Sequence, residues 1–244
     1  MFKVIMAIGL VFFLQRSAGA QYYFDAESGS AWADHNTVKI PIKGGTRFSL
    51  TKELKAEPSA FVRLRLGRII KGVHNISFLA APLTIKSEGV FERAVEYNGE
   101  TFAANTPTKA VYRFNSYRLK YLYEFRRSEA LTLRWGGALK MRHAGIELDN
   151  GSQKTESKNT GFVPLLAFTA DWRFRPGYEL NFDFEGLAAP QGRAEDVMVA
   201  VSRELKSGLK LRAGYRFLEG GSGAGEVYTF AWIHYLLAGI TLEF

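Results

Sequence analysis

The sequence has 244 residues, 47% of them hydrophobic, and a formal net charge of +8. Its mean hydropathy of −0.10 excludes a bundle of membrane helices, which would need several apolar runs of about 20 residues. The chain has no cysteine, which excludes a disulfide framework and a lipidated cysteine.

The N-terminal region resembles a secretory signal. An apolar run at Val4–Leu14 follows Lys3 and precedes Ala18-Gly19-Ala20, a small-x-small cleavage pattern. The alternative is a membrane anchor, but a run of about 11 residues is too short to cross a bilayer. We therefore predict a signal peptide at residues 1–20, cleavage before Gln21 and one domain at residues 21–244. Removing Lys3 and Arg16 with the signal leaves a net charge of +6.

Hydrophobic and polar residues alternate with a period of two from Ser59 onward, which is typical of strands. Val62, Leu64 and Leu66, for example, share one face opposite Arg63 and Arg65. The pattern predicts ten strands, at about residues 22–32, 60–70, 73–84, 110–125, 129–144, 161–174, 178–188, 196–206, 209–218 and 227–244. Thr37–Leu50 is an alternative first strand or an additional hairpin, so eight or twelve strands are alternatives.

The segments run for about ten or more residues and carry charges at mid-strand, whereas strands of a soluble sandwich are near 5–6 residues. Their connections also alternate in length. Short turns are predicted at Lys71-Gly72, Arg126–Ser128, Arg175–Gly177 and Lys206–Gly208, and longer polar loops at Lys86–Lys109, Glu147–Asn159 and Glu219–Glu226, with a compact loop at Pro190–Glu195. This asymmetry predicts an all-β fold, a transmembrane antiparallel up-and-down β-barrel of an outer membrane.

The last residues are Leu237-x-Gly239-x-x-Leu242-x-Phe244. This ending resembles the C-terminal assembly signal of bacterial outer-membrane β-barrel proteins. The resemblance implies that Gly239, Leu242 and Phe244 serve in assembly and that the barrel assembly machinery is a partner. It also implies contact with outer-membrane lipid and lipopolysaccharide. Contact with lipopolysaccharide and binding of nucleic acid explain the net positive charge equally well. We expect no nucleic-acid partner.

Charged residues dominate the faces that alternation turns inward. They are Arg134, Lys140 and Arg142 on the fifth strand, Glu179, Asp183 and Glu185 on the seventh, and Lys210, Arg212 and Arg216 on the ninth. The sixth and eighth strands place small residues between them, such as Ala200 and Ser202, so we expect acids to reach bases across one strand. Because an unpaired buried charge is costly, the pattern predicts a lumen filled by ion pairs. A narrow pore lined by arginines is the alternative.

The sequence offers weak signals for catalysis. Alternation puts His74 and Ser77 on opposite faces, which prevents a Ser–His pair, and no GxSxG is present. His35 lies near Asp34 and could join an acidic site like that of the omptins, His143 lies near a loop, and His234 is predicted to face outward. No cluster has metal-ligand spacing, so no catalytic, metal or cofactor-binding residue is assigned.

Two shorter patterns concern loops. Leu79-Ala80-Ala81-Pro82 recurs as Leu187-Ala188-Ala189-Pro190, and each proline is expected to end a strand. Gly220–Gly225 is predicted to be a flexible loop tip. The sequence as a whole favours a non-enzymatic barrel with a structural or binding role through its loops. A narrow transport pore is the second hypothesis, and a membrane-embedded lipid hydrolase is the third.

Overall fold

The computed structural model describes residues 20–244, so the predicted signal peptide lies almost wholly outside the described residues and its cleavage site stays a prediction. Fifteen strands make up the fold. They are β1 (Ala20–Lys39), β2 (Phe48–Ser49), β3 (Leu54–Ala56), β4 (Ser59–Ile70), β5 (His74–Ala81), β6 (Thr84–Val90), β7 (Val95–Tyr97), β8 (Glu100–Phe102), β9 (Pro107–Arg127), β10 (Leu131–Asp149), β11 (Lys154–Arg175), β12 (Tyr178–Ala189), β13 (Gly192–Lys206), β14 (Leu209–Ala224) and β15 (Val227–Glu243). No helix among residues 20–244 is long and apolar enough to cross a membrane.

The sheet closes on itself because β1 pairs with β15 on one side and with β4 on the other. Both β5 and β6 pair with β9 and act as one barrel strand, interrupted at Pro82. The wall therefore has ten antiparallel strands: β1, β4, β5 with β6, and β9 to β15. This confirms the predicted barrel and its strand count, and it excludes the eight- and twelve-strand alternatives.

The predicted loops were wrong in extent, because strands continue through much of them. Glu147–Asn159 forms the ends of β10 and β11 around a short turn, and Glu219–Ala224 belongs to β14, so that of Gly220–Gly225 only Gly225 lies in the turn. Thr37–Lys39 is the last part of β1, Phe48–Ser49 is the separate short strand β2, and Gly192–Glu195 of the predicted compact loop belongs to β13. The backbone hydrogen bonds between strands continue through these residues although their side chains are polar. The sequence prediction was wrong here because a polar strand end has the same composition as a loop.

The two rims of the barrel differ. Residues 71–73, 128–130, 176–177 and 207–208 connect strands at one rim, which we call the short-turn rim. Lys71 and Gly72 both have positive φ, the requirement of a type I′ hairpin turn. The opposite rim, here the hairpin rim, carries the extended ends of β10, β11 and β14. In barrels of this architecture, short turns face the periplasm and longer connections face outward.

The exterior carries a belt of exposed apolar and aromatic side chains. On β9 these are Leu119, Tyr121, Tyr123 and Phe125, and the intervening residues point into the barrel. Other members are Val62, Leu64, Leu66, Ile76, Phe78, Trp135, Leu139, Phe162, Leu166, Trp172, Val199, Leu211, Leu236 and Leu242. An exposed apolar surface that encircles a barrel is suited to lipid and not to water.

Residues 40–57 and 91–106 fold inward at the hairpin rim, and we call them the cap. Phe48, Leu54, Phe91, Tyr97 and Phe102 of the cap are fully buried in one apolar cluster with inward residues of the wall. The Tyr97 hydroxyl donates a hydrogen bond to the carbonyl of Ile146 on β10 at 2.7 Å. Burial raises the pKa of Tyr97, so this hydroxyl remains a donor. The cap therefore fills the lumen at this rim.

Candidate functional site

The middle of the lumen is occupied by charged side chains centred on Asp196 of β13. Its carboxylate lies 2.6 Å from Arg216, 2.6 Å from Arg118 and 3.3 Å from Arg63. Glu27 of β1 lies 2.9 Å from Arg216 and 3.3 Å from Arg63. All five side chains are almost completely buried. Two carboxylates thus hold three guanidinium groups from three different strands.

A second group of ion pairs is centred on β12. Lys120 contacts Asp183 at 2.9 Å and Glu185 at 2.8 Å, and Arg118 contacts Glu185 at 2.7 Å. Arg65 of β4 reaches Asp183 at 3.4 Å. Arg118 joins this group to the one around Asp196. Together with Asp25 and Arg212 we call these side chains the lumen network.

Arg212 of β14 was expected to reach the acids of β12 across one strand, but the structure places Asp183 and Arg212 in different pairs. Arg212 lies 2.9 Å from Asp25 and 2.8 Å from Glu27, both on β1. Gly239 of β15 is the register partner of Arg212 on β14 and, on its other side, of Glu27 on β1. A Cβ at Gly239 would lie 3.2 Å from the Arg212 guanidinium. The missing side chain lets Arg212 cross β15, so Arg212 pairs with acids of β1 and not with those of β12.

Predicted lumen residues near the short-turn rim form a separate set of ion pairs. Lys210 contacts Glu179 at 3.2 Å across β13, as the small intervening residues suggest. Arg134 lies 3.1 Å from Glu124 and 2.6 Å from Asp171. The predicted small inward residues of β11 and β13 are buried: Ala167, Thr169, Ala200 and Ser202.

Lys140 and Arg142 differ from the other predicted lumen residues. Lys140 is buried and lies over the ring of Phe114 at 5.1 Å. Arg142 donates to the side-chain oxygen of Asn159, and its Nε is buried without a hydrogen-bond partner. Within the described part of the chain, neither forms an ion pair with a carboxylate.

Sequence reasoning missed several members of the lumen network. Arg63, Arg65, Arg118 and Lys120 lie on faces that alternation had turned inward, so this signal was available. Asp25 and Glu27 were harder to find because Ser28, Gly29 and Ser30 interrupt the alternation of β1. The missed members are Asp25, Glu27, Arg63, Arg65, Arg118, Lys120 and Asp196.

The four histidines all lie outside the lumen network. His74 hydrogen bonds to the Tyr121 hydroxyl at 2.9 Å, His143 to Thr160 at 2.8 Å and His35 to Thr37 at 3.0 Å. His234 faces outward beside Tyr215 and stacks on Trp32. Ser77 is buried on the opposite face of β5 from His74. Their partners are hydroxyls, and in the described residues no histidine contacts a carboxylate.

The proposed assembly residues lie where β15 meets β1. Leu242 and Phe244 are exposed on the exterior, and Gly239 faces the lumen. The backbone of Phe244 exchanges two hydrogen bonds with Tyr22, at 2.8 and 2.9 Å, and the two rings stack. The end of the chain therefore takes part in closing the barrel.

A closed ten-strand wall, an apolar exterior belt and an interior filled by paired charges define the protein as an integral β-barrel of the bacterial outer membrane. Its fold is similar to that of the outer membrane protease OmpT from Escherichia coli, with a TM-score of 0.58 and 10% identity over 92% of this chain and 97% of OmpT. Matches with lower TM-scores are Ail of Yersinia pestis, at 0.40 and 12% identity over 93% of this chain and 100% of Ail, and Neisserial surface protein A, at 0.37 and 15% identity over 93% and 99%. At these identities the likeness describes the fold and not the activity. No family model and no curated protein matches the chain.

Proposed function

We propose that this protein is a non-enzymatic, non-conducting outer-membrane barrel that acts as a binding protein through its hairpin rim. The observation that carries the proposal is the double obstruction of the lumen. The lumen network crosses the barrel at mid-height, and the cap fills the hairpin rim with apolar side chains. A permeating ion would have to displace both.

The charges of the lumen network are paired with one another and not displayed along an open path. A selective pore needs charged groups that face water so that an ion can enter and leave. Arg118 and Arg216, in contrast, are among the largest fully buried side chains of the protein. Barrels of about eight strands have an interior that side chains can fill, and in this ten-strand barrel the cap adds to that filling. Function is therefore assigned to the hairpin rim, where the wall and the cap meet the outside.

Electrical recording in a planar bilayer tests the closed lumen. We expect the refolded wild-type protein to give no steady conductance at any applied voltage, while a porin inserted in parallel gives discrete steps. Heat-modifiable migration on a gel would verify that the inserted barrel is folded. Steady, ion-selective conductance from the folded wild type would overturn the proposal and favour the narrow pore.

We further propose the two partners that the C-terminal signal implies. Outer-membrane lipid and lipopolysaccharide would contact the exterior belt, and the barrel assembly machinery would bind β15. The outward positions of Leu242 and Phe244 support the second partner, because both side chains are exposed in the assembled barrel.

A further inference from the structure

The wall of the barrel is incompletely paired between β11 and β12. Pairing of these strands runs from the short-turn rim and stops at Leu166 and Gly186. Beyond that point β11 continues to Lys154 and pairs only with β10, while β12 continues to Ala189 and pairs only with β13. Pro164, which lacks an N–H donor, lies in this unpaired stretch, as expected of an edge. The two strands thus leave an opening in the wall.

The opening lies at the level of the membrane. The exterior of β11 is apolar from Phe162 to Trp172. With the strand tilted by about 40°, these eleven residues span about 25 Å along the barrel axis, the height of an outer-membrane apolar band. Phe162 and Leu166 flank the opening with 68% and 62% of their surface exposed. Unpaired backbone is unfavourable in hydrocarbon unless something lines or fills the space. The opening therefore faces the outer leaflet.

A cavity of about 450 Å³ connects this opening with the interior. It is lined by Phe162 and Pro164 on β11, by Leu187 and Ala189 on β12, and deeper by residues of the lumen. The deeper apolar lining comprises Tyr112, Phe114, Ile146, Leu218 and Ala231. Both its size and its mainly apolar lining are typical of ligand pockets, which measure about 300–1,000 Å³.

Two basic side chains lie at the inner end of the cavity. Lys140 and Arg142 both line it, and Lys140 is only 3% exposed. Among the described residues, no carboxylate pairs with either of them, whereas Glu219, which also lines the cavity, is paired with Arg193. Buried cations are normally paired. An anion entering through the opening would supply the missing partner.

We infer that this cavity binds an amphiphile with an anionic headgroup and an acyl chain, which enters from the outer leaflet between β11 and β12. The headgroup, a carboxylate or phosphate, contacts Lys140 and Arg142. The chain leaves through the opening and lies over Phe162 and Leu166. This inference rests on the proposed binding role of the hairpin rim and names the class of ligand.

Binding of radiolabelled palmitate to the folded, purified protein in a non-ionic detergent tests the inference. We expect saturable binding of one palmitate per barrel and at least tenfold weaker binding of hexadecanol, which has the chain without the charge. Hexadecyl phosphate separates the two sources of the ligand, since tighter binding than palmitate would assign the site to lipid phosphates and weaker binding to free fatty acids.

Three variants locate the site. Lys140→Met keeps the apolar length of the side chain and should weaken palmitate binding at least tenfold, while Lys158→Met, which removes an exposed lysine of the same rim, should leave binding unchanged. Leu187→Trp should block the cavity without a change of charge and should therefore abolish palmitate binding. It replaces Lys140→Met as the test if Lys140→Met does not fold. Equal binding of palmitate and hexadecanol, or full binding by Leu187→Trp, would overturn the inference. In that case a silent bilayer recording would leave the closed-barrel proposal standing.

Discussion

Asp196 of β13 accepts a hydrogen bond from Arg216 of β14 at 2.6 Å, and both side chains are 2% exposed. The same carboxylate also contacts Arg63 and Arg118, which come from the other side of the barrel. This one aspartate therefore links strands that are distant in sequence. Glu27 also contacts three guanidinium groups, so the lumen network depends on both of these acids.

Asp196→Ala should destabilise the folded barrel severely. Removal of one partner from a buried ion pair typically costs about 3–5 kcal/mol, because the remaining charge is neither paired nor hydrated. Here three guanidinium groups would lose a partner at once. Thermal unfolding of the detergent-refolded protein, followed by gel mobility, measures the effect. Glu129→Ala, at an exposed turn, is the matched control, and an equal loss in both variants would show that Asp196 is hydrated.

Asp183 should couple energetically to Lys120 and not to Arg212. The structure places Lys120 2.9 Å from Asp183, whereas Arg212 contacts Asp25 and Glu27. Contacting residues show non-additive effects of about 0.5–3 kcal/mol, and residues without shared partners are nearly additive. Two double-mutant cycles, Asp183→Ala with Lys120→Met and with Arg212→Ala, distinguish these cases. Strong coupling in the second cycle would contradict the pairing.

Gly239→Ala should weaken the barrel even without any assembly machinery. The added Cβ would lie 3.0 Å from the carbonyl of Ala26 and 3.2 Å from the Arg212 guanidinium, which must cross this position to reach β1. We expect lower thermal stability after refolding in detergent. Ala238→Gly, at the neighbouring outward position, is the comparison. Wild-type stability of Gly239→Ala would limit this glycine to a role in assembly.

Deletion of Phe244 should lower the amount of folded protein in cells more than its stability after refolding in detergent. The assembly machinery is proposed to read the last strand, and Phe244 is exposed on its outward face. Phe125→Ala removes a similarly exposed aromatic side chain and should leave the cellular yield near the wild-type value. Unchanged surface levels after deletion of Phe244 would contradict the resemblance to the assembly signal.

The orientation of the rims can be tested with single cysteines, since the chain has none of its own. Ser152 is exposed in the turn between β10 and β11, and Ser207 is exposed in the turn between β13 and β14. On intact cells, a membrane-impermeant maleimide should label Ser152→Cys and not Ser207→Cys. Both should react after the outer membrane is permeabilised. Labelling of Ser207→Cys on intact cells would reverse the topology.

The hairpin-rim strand ends show where sequence reasoning is limited. Glu147 on β10 and Glu156 on β11 lie opposite each other in the sheet register, and each forms an ion pair with Arg113. Their charges and the nearby Asn150-Gly151-Ser152 favour a loop when read locally. Only the partner strands show that the ladder continues. The cap has the same limitation, because Phe91 and Tyr97 find their apolar contacts in segments far away in the chain.

The sequence by itself determined the barrel, its ten strands, and which residues of most strands face inward. These features are local, because lipid outside and charge inside impose a period of two on each strand separately. The tertiary structure alone decided which charges pair. Closure brings β1 beside β15, and a glycine at 239 lets Arg212 reach Asp25 and Glu27 across it. It also decided that Lys140 and Arg142 stay without a carboxylate, next to an opening that exists because β11 is longer than β12. Such relations depend on register and strand length across the whole barrel, which no single segment encodes.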